Sequence, residues 1–285
     1  MANQLKTGFL FAMFMLQSCT YTLDFSGFFF PDDLVDARFV QSNDWNQSHP
    51  FKTINVSSEN YQLLVAADSH LGGTKNLDKL IKEAIKPENT ALILVGDNVT
   101  GHKEDYDTLK THLPDFNLKP WFLAVGNHDL YFEGWKTFYP YFGTSTYYFS
   151  IQTPTQKDLY IVLDSGSGTL GAKQLAWLQN VLVTQRTAYR NCVVFSHVNF
   201  FRNRHTGSTN PLVDELYVLM DLFAKNRINM VISGHDHVRS INEFGNTTYI
   251  TMDALLDGFS RAGYLKLKTT PLKMEYEFNE VKALN

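Results

Sequence analysis

The stretch "VISGHDHVRS" (residues 231–240) runs from an apolar segment through Gly234 into two histidines, His235 and His237, one residue apart. Alone, the H-x-H spacing is compatible with a polar turn as well as with a ligand site. Four other apolar runs also end in polar side chains. These are "YQLLVAA" (61–67) before Asp68-Ser69-His70, "ALILV" (91–95) before Gly96-Asp97-Asn98, "WFLAV" (121–125) before Gly126-Asn127-His128-Asp129, and "CVVFS" (192–196) before His197. With "NMVIS" (229–233), these runs predict five β-strands.

Segments with helical spacing separate the apolar runs. One apolar stripe stops before Pro87, and another follows Asn210-Pro211, a pair typical of a helix N-terminus. The stripes are Leu77, Leu80, Ile81, Ala84 and Ile85, then Leu175, Leu178 and Leu182, then Val213, Leu216, Tyr217, Met220 and Phe223. We expect each stripe to face the core. The alternation of strands and helices predicts an α/β fold.

The composition is that of a folded globular protein. The 285 residues are 44% hydrophobic and 19% charged, which is unlike a disordered or fibrous chain. The net charge is −4 without a basic cluster, so the charge implies no nucleic-acid partner. The two cysteines, Cys19 and Cys192, are too few for a disulfide framework or a cysteine zinc knuckle.

The first nineteen residues differ from the rest of the chain. The apolar run "FLFAMFML" (9–16) is too short to span a bilayer, but it suits the apolar region of a signal peptide. The following "LQSC" resembles a bacterial lipobox, which predicts cleavage after residue 18 and lipid attachment at Cys19. The alternatives are an ordinary secretory signal cleaved nearby and an N-terminal helix that faces the core.

These features predict the organisation of the chain. Residues 1–18 would be a signal peptide, and residues 19–58 an extension that packs on the domain or spaces it from a membrane. Residues 59–285 would form the main domain. We expect an exported lipoprotein of the cell envelope that contacts the membrane through its N-terminal lipid.

The polar residues after the predicted strands suit a two-metal site. In open α/β sheets the loops at the carboxyl ends of strands converge, so these side chains can meet in one place. Two divalent cations need a bridging anion and further nitrogen and oxygen donors. Asp97 can bridge them, with Asp68, His70 and His237 around one cation and Asn127, His197 and His235 around the other. The D-x-H and H-x-H spacings place alternate donors on one side of an extended strand end.

The same residues resemble the calcineurin-like metallophosphoesterase superfamily. Its motifs D-x-H, G-D-x, G-N-H-[D/E], a lone His and G-H-x-H appear here in order as "DSH", "GDN", "GNHD", "FSH" and "GHDH", within about residues 61–270. The resemblance implies a four-layer α/β/β/α sandwich, two Mn, Fe or Zn ions, and hydrolysis of phosphate esters. It assigns the seven ligands named above, and His128 matches the catalytic histidine of the family. The chain looks like a secreted or lipid-anchored bacterial member.

The second motif departs from the patterns of two subfamilies and so argues against membership in either. "GDNVTG" lacks the tyrosine of the purple acid phosphatases, which argues against a ferric–tyrosinate site. It also lacks the Asp-Arg-Gly continuation of the Ser/Thr protein phosphatases, which puts protein dephosphorylation in doubt.

We expect hydrolysis of phosphate mono- or diesters, with a metal-bridging hydroxide as nucleophile. His128 would stabilise the transition state or protonate the leaving group, and Asp129 would orient it. Arg202 and Arg204, in the loop after His197, are candidates to hold a second anionic group of the substrate, or else form a solvated face. The alternative functions are a pyrophosphohydrolase of nucleotide-type substrates, a non-catalytic metal-binding lipoprotein module, and a structural or adhesive lipoprotein.

Overall fold

The computed structural model of the chain describes residues 35–50, 52–202 and 209–284. The helices in these ranges are α1 (Val35–Ser48), α2 (Lys75–Ala84), α3 (Lys103–His112), α4 (Trp135–Phe142), α5 (Gly171–Gln185) and α6 (Val213–Lys225). The strands are β1 (Thr53–Asn55), β2 (Tyr61–Ala66), β3 (Asn89–Val95), β4 (Trp121–Ala124), β5 (Tyr147–Gln152), β6 (Lys157–Leu163), β7 (Cys192–Ser196), β8 (Met230–Ser233), β9 (Ser240–Phe244), β10 (Thr247–Thr251), β11 (Gly263–Thr269) and β12 (Met274–Glu280). The five predicted strands are confirmed as β2, β3, β4, β7 and β8.

The strands form two sheets. A five-stranded sheet has the order β12-β11-β2-β3-β4, with β2, β3 and β4 parallel to one another. A seven-stranded sheet has the order β1-β5-β6-β7-β8-β10-β9, with β6, β7 and β8 parallel. The strands that carry the predicted ligands are therefore parallel neighbours within each sheet.

Successive side chains along each strand point to opposite faces of its sheet, and the apolar ones form three layers. In β2, Leu63 and Val65 face a core between the two sheets, whereas Leu64 and Ala66 face α2, α3 and α4. On the other side, α5 and α6 cover the outer face of the seven-stranded sheet, where Leu178 is buried. The fold is the four-layer α/β/β/α sandwich that the family resemblance implied.

Helix α1 packs through polar side chains. Arg38 and Ser42 are its buried residues. The Arg38 Nε donates to Asp164 Oδ2 at 2.8 Å, and Ser42 shares a hydrogen bond with Ser145. Strand β1 then pairs in parallel with β5. The described part of the predicted extension thus packs on the domain.

The stripe predicted for α6 is wrong in its first half. Val213 is 58% exposed and Tyr217 is 68% exposed, while Leu219 and Phe223 are the buried residues. The Glu215 carboxylate accepts hydrogen bonds from the Thr169 hydroxyl and the Leu170 N–H, which turns the first helical turn toward solvent.

The predicted helix boundaries also differ from the structure in two places. Helix α6 begins at Val213, so Pro211 lies outside it. Ile85, predicted in the core stripe of α2, lies just past the helix end and is 53% exposed. Within the described ranges, no helix has the length and apolar composition needed to cross a membrane.

Candidate metal centre

The loops after the five predicted strands meet at the carboxyl edge of both sheets. Two clusters of potential ligand atoms form there among the described residues, each with its atoms within 4.8 Å of one another. They are Asp68, His70, Asp97 and His237, and Asp97, His197 and His235. Asp97 belongs to both clusters, as expected for a bridging carboxylate. The five-stranded sheet supplies Asp68, His70, Asp97 and Asn127, and the seven-stranded sheet supplies the other three histidines.

In the first cluster the imidazole nitrogens converge on carboxylate oxygens. His237 Nε2 lies 3.4 Å from Asp68 Oδ1, and His70 Nε2 lies 3.6 Å from Asp97 Oδ2. The Nε2 atoms of His70 and His237 are 3.1 Å apart. Two imidazole lone pairs repel at this distance unless a proton or a cation lies between them, and a cation can also contact the carboxylates.

In the second cluster, backbone carbonyls fix the tautomers of both histidines. His197 Nδ1 lies 2.9 Å from the Val95 carbonyl, and His235 Nε2 lies 3.1 Å from the Thr209 carbonyl. A carbonyl only accepts, so these nitrogens carry the proton. The opposite nitrogen of each neutral ring keeps its lone pair. Metal-ligating histidines in proteins usually have such a second partner.

One buried acceptor in the loop after β4, Asn127 Oδ1, lacks a hydrogen-bond partner among the described residues. His197 Nε2 is also buried, and it lies 3.2 Å from Asp97 Oδ2. The Asn127 amide nitrogen donates to Tyr131 Oη at 3.0 Å, which leaves its oxygen directed elsewhere. A buried acceptor without a donor costs about 1–3 kcal/mol. A divalent cation could be bound by both atoms, so the donor set fits a metal.

The ligand loops hold strained backbone conformations. Five of the seven candidate ligands have a positive φ: Asp68 (56°), His70 (39°), Asp97 (49°), His235 (72°) and His237 (61°). Such a conformation costs a residue other than glycine of order 1–3 kcal/mol and persists only where the surroundings impose it. The strain is concentrated on the residues that aim donors into the clusters.

Glycines make room for two of the ligand carboxylates. A Cβ on Gly126 would lie 2.2 Å from Asp97 Oδ1, and one on Gly234 would lie 2.4 Å from Asp68 Oδ2. No side chain fits at these distances. Glycine at these two positions therefore lets the backbone approach the ligand carboxylates closely.

Charges around Asp97 set the protonation states of the clusters. Burial opposes ionisation of Asp97, but His197, His128 and His70 hold the pKa of its carboxyl well below the usual range. Burial lowers the pKa of His70 and of His235 to about 4, so both rings are neutral near pH 7. Burial also acts on His197, but Asp97 outweighs it and raises the pKa of that ring to about 9. A bound cation would displace this proton.

The sequence profile of the calcineurin-like phosphoesterases matches residues 61–239, a range that contains all seven candidate ligands. The chain belongs to the calcineurin-like phosphoesterase family. It is therefore a hydrolase of phosphate esters, with a residue arrangement that is compatible with a dinuclear site. No curated protein sequence matches the chain.

Solved structures with the same fold include both phosphatases and a protein described as an anchor. A dimetal phosphatase from Danio rerio is 11% identical, with a TM-score of 0.61 and coverage of 78% of this chain and 96% of that one. A purple acid phosphatase from yellow lupin is 12% identical, with a TM-score of 0.62 and coverage of 80% and 53%. GAP50, the anchor in the inner membrane complex of Plasmodium, is 14% identical, with a TM-score of 0.62 and coverage of 79% and 86%. At these identities the similarity concerns the fold.

His128 of this phosphoesterase lies beside the ligands. Its ring centroid is 4.4 Å from that of His70 and 4.7 Å from that of Tyr131. Its backbone N–H donates to Asp97 Oδ1 at 2.7 Å. The ring is half-buried, and burial lowers its pKa. The backbone of His128 therefore positions a ligand, while its side chain stays available on the open side.

Asp129 has contacts that differ from the expected ones. Its carboxylate accepts hydrogen bonds from the backbone N–H groups of Gly126 (2.8 Å) and Val99 (3.0 Å) and from the Asn98 amide (3.1 Å). No hydrogen bond among the described residues joins this carboxylate to the His128 ring. Asp129 is fully buried and ties together the loops after β3 and β4, so it does not act as the orienting partner of His128.

Arg202 also differs from its prediction. Its Nε donates to Asp236 Oδ1 at 2.9 Å, and its Nη1 contacts the Thr209 carbonyl (3.3 Å) and Asn210 Oδ1 (3.2 Å). The side chain is 9% exposed. These contacts hold the turn between two ligands and do not direct the guanidinium to an open binding surface. Arg204 and Cys19 lie outside the described residues.

Sequence reasoning missed the residues that support the ligand loops. Asp236, between His235 and His237, accepts from both Arg202 and the Asn199 amide. Its acidic side chain between two ligand histidines was the signal available for this role. Thr209 contributes through its backbone carbonyl, which accepts from Arg202 and His235. No sequence pattern indicates such a contact of a backbone group.

Proposed function

We propose that this phosphoesterase hydrolyses phosphate mono- or diesters at a dinuclear metal site. One cation would be held by Asp68, His70, Asp97 and His237, and the other by Asp97, Asn127, His197 and His235. The buried Asn127 Oδ1, which has no hydrogen-bond partner among the described residues, and the buried His197 Nε2, 3.2 Å from Asp97 Oδ2, support this proposal most directly. Both are good ligands for Mn, Fe or Zn, and His197 belongs to the second cluster.

The residues of the chain prepare the site for reaction. Bound there, two divalent cations lower the pKa of water towards about 7 and neutralise charge on the phosphoryl oxygens. The left-handed backbone and the His128 N–H fix the carboxylate of Asp97 between the clusters. The buried network of Asp129 prevents the loops after β3 and β4 from moving apart.

We propose His128 as the proton donor to the leaving oxygen. Its ring packs edge-on against His70 and remains partly exposed. Burial lowers the pKa of this imidazole, so its protonated form is a stronger acid but is less populated near neutral pH.

The alternative functions have less support. GAP50, which has this fold, is described as an anchor, but the half-buried ring of His128 beside the candidate ligands favours an enzyme over a non-catalytic module. A nucleotide pyrophosphohydrolase needs groups for a second anionic moiety, and Arg202 is held by Asp236. A simple phosphate ester is therefore the better supported substrate.

Metal analysis combined with an activity assay tests this function. The purified chain should bind about two divalent ions and hydrolyse an aryl phosphate, and chelation should abolish hydrolysis. The Asp97→Ala variant should lose both ions, whereas His70→Ala should lose mainly one. Full activity of metal-free protein would falsify the proposal.

We further propose that residues 1–18 are a signal peptide, that residues 59–285 form the enzyme domain, and that a lipid on Cys19 anchors the enzyme at the cell envelope. The lipobox-like "LQSC" supports this reading. In a bacterial host, the chain should enter the membrane fraction and incorporate a fatty-acid probe. Persistent labelling of Cys19→Ala would contradict lipidation at this residue.

A further inference from the structure

A cavity of about 630 Å³ lies at the open side of the sandwich, away from the metal clusters. It is enclosed by the end of α1, the edge strand β4, the end of α4 and strand β5. None of the seven candidate ligands lines it. Its volume is in the range of pockets that hold small organic ligands.

Aromatic side chains form the walls. Phe122 and Phe149 stack at 3.6 Å between ring centroids, and Phe116 packs edge-on against Phe122 and Trp121. Trp45 lies against Gly143, where a Cβ would be 2.2 Å from the indole. Phe122 and Phe149 are buried, whereas Trp45, Phe116 and Trp121 keep part of their surface exposed. An apolar body that covers this exposed surface gains about 25 cal/mol for each Å² removed from water.

The polar groups at the cavity determine the charge of its ligand. Lys52 and His49 line it, and the described lining residues include no Asp or Glu. Lys52 Nζ lies 4.2 Å from the Phe116 ring centroid, and no described carboxylate forms an ion pair with it. The cavity therefore combines an apolar interior with an unneutralised cation, which favours an anion and disfavours a cation.

We propose that this cavity is a second ligand site, which takes an amphiphile with an apolar body and one anionic head group. The apolar body lies against the partly exposed rings of Trp45, Phe116 and Trp121, and the head group pairs with Lys52. Occupancy is independent of the metal centre, since the two sites share no residue.

The test uses 8-anilinonaphthalene-1-sulfonate as a fluorescent probe, added to the full chain in the presence of EDTA. One saturable site is expected, with displacement by dodecanoate and weaker displacement by dodecyltrimethylammonium. Lys52→Glu should weaken probe binding by about fivefold or more and invert the order of the two competitors. Lys273→Glu, in the distant β11–β12 turn, should change neither.

Two further measurements test whether the probe binds in this cavity and whether its binding affects the metal centre. Pro140→Trp, at an exposed position of the lining, should narrow the cavity and weaken probe binding while the circular dichroism spectrum stays native. Saturating probe should leave hydrolysis of an aryl phosphate unchanged when metal is present, which separates this site from the metal centre. Absence of a saturable site, or equal binding of anionic and cationic amphiphiles in wild type and Lys52→Glu, would overturn the proposal.

Discussion

At the scale of single residues, the proposed metal centre uses donor atoms whose side chains are fixed from the opposite end. Asn127 Oδ1 and His197 Nε2 are buried, and the opposite end of each side chain is fixed by Tyr131 and Val95. An amide or imidazole held at one end is oriented before any metal ion arrives. Part of the free energy cost of metal binding is therefore met during folding.

His128→Ala separates chemistry from metal binding. The His128 ring lies beside the ligands, and its backbone contact with Asp97 survives the substitution. We expect unchanged metal content and a kcat lower by about 10²–10⁴-fold. The loss should shrink for esters whose leaving group is a stable anion without protonation. Loss of metal in this variant would instead place His128 among the ligands.

Gly234→Ala tests the close approach of backbone and ligand. Its Cβ would lie 2.4 Å from Asp68 Oδ2, so the carboxylate must move out of the first cluster. We expect loss of about one bound metal ion and of most activity. Gly72→Ala is the matched control, because its Cβ would meet nothing closer than 3.9 Å. Isothermal titration with Mn²⁺ compares the two variants, and equal affinities would show that the contact is easily relieved.

Arg202→Ala distinguishes support of a ligand from contact with substrate. Removal of the guanidinium leaves Asp236 short of a donor and loosens the turn that carries His235. Affinity for the second metal should fall by about 10–100-fold, as for partners that orient a ligand. Hydrolysis of all substrates should decline by a similar factor. Arg239→Ala, whose side chain is 37% exposed, is the control. If the only effect of Arg202→Ala were a higher KM for multiply charged esters, Arg202 would instead contact the substrate.

At the scale of elements, the sequence predicted what apolar periodicity encodes. The five strands and their ligand-bearing ends follow from β-rich runs that stop at polar residues, and β7 matches its predicted range of residues 192–196. Helix α1 was not found, because its buried residues, Arg38 and Ser42, are polar and leave no apolar stripe. The Glu215 carboxylate accepts hydrogen bonds from Thr169 and Leu170, and these tertiary contacts determine which face of α6 points to the core. No local sequence pattern contains that information.

The candidate site also combines features that the sequence predicted with features that it could not predict. All seven candidate ligands could be proposed from strand ends, whereas the contacts of Asp129 and Arg202 could not. Both side chains lie on ligand loops, and a carboxylate or guanidinium there suits catalysis and loop support equally well. Their partners, which include the Val99 N–H and the Thr209 carbonyl, are backbone groups that become neighbours only in the folded chain.

Arg38→Ala measures the contribution of α1 to stability. The Arg38–Asp164 pair is fully buried, so loss of the arginine leaves an unpaired carboxylate in the interior. Breaking such a pair costs about 3–5 kcal/mol. Lys225→Ala removes an exposed pair with Asp221 and should cost no more than about 1 kcal/mol. Urea denaturation gives both values, and similar small costs would mean that water reaches Asp164 in the variant.

At the scale of the whole molecule, the two sheets meet through the apolar core and again through the ligands. Asp68, His70, Asp97 and Asn127 follow strands of one sheet, and His197, His235 and His237 follow strands of the other. A cation bound by both sets connects the two sheets at their carboxyl edge. Without a cation, the Asp97–His197 (3.2 Å) and Asp68–His237 (3.4 Å) contacts already join the two sheets there, together with hydrogen bonds and packing. A bound cation adds to these contacts, so metal binding and global stability are coupled.

This coupling predicts a higher melting temperature in the presence of metal. A ligand at 100 times its Kd stabilises the folded state by about 2.7 kcal/mol for one site, which corresponds to a rise in Tm of about 5–10 °C for a domain of this size. Calorimetry with excess Mn²⁺ and with EDTA measures the difference. Asp97→Ala should lose most of the shift, because it removes a donor from both clusters. A shift of the same size in Asp97→Ala would place the stabilising ion elsewhere. A shift lost in this variant but kept in Lys225→Ala would show that the ion acts through the junction of the two sheets.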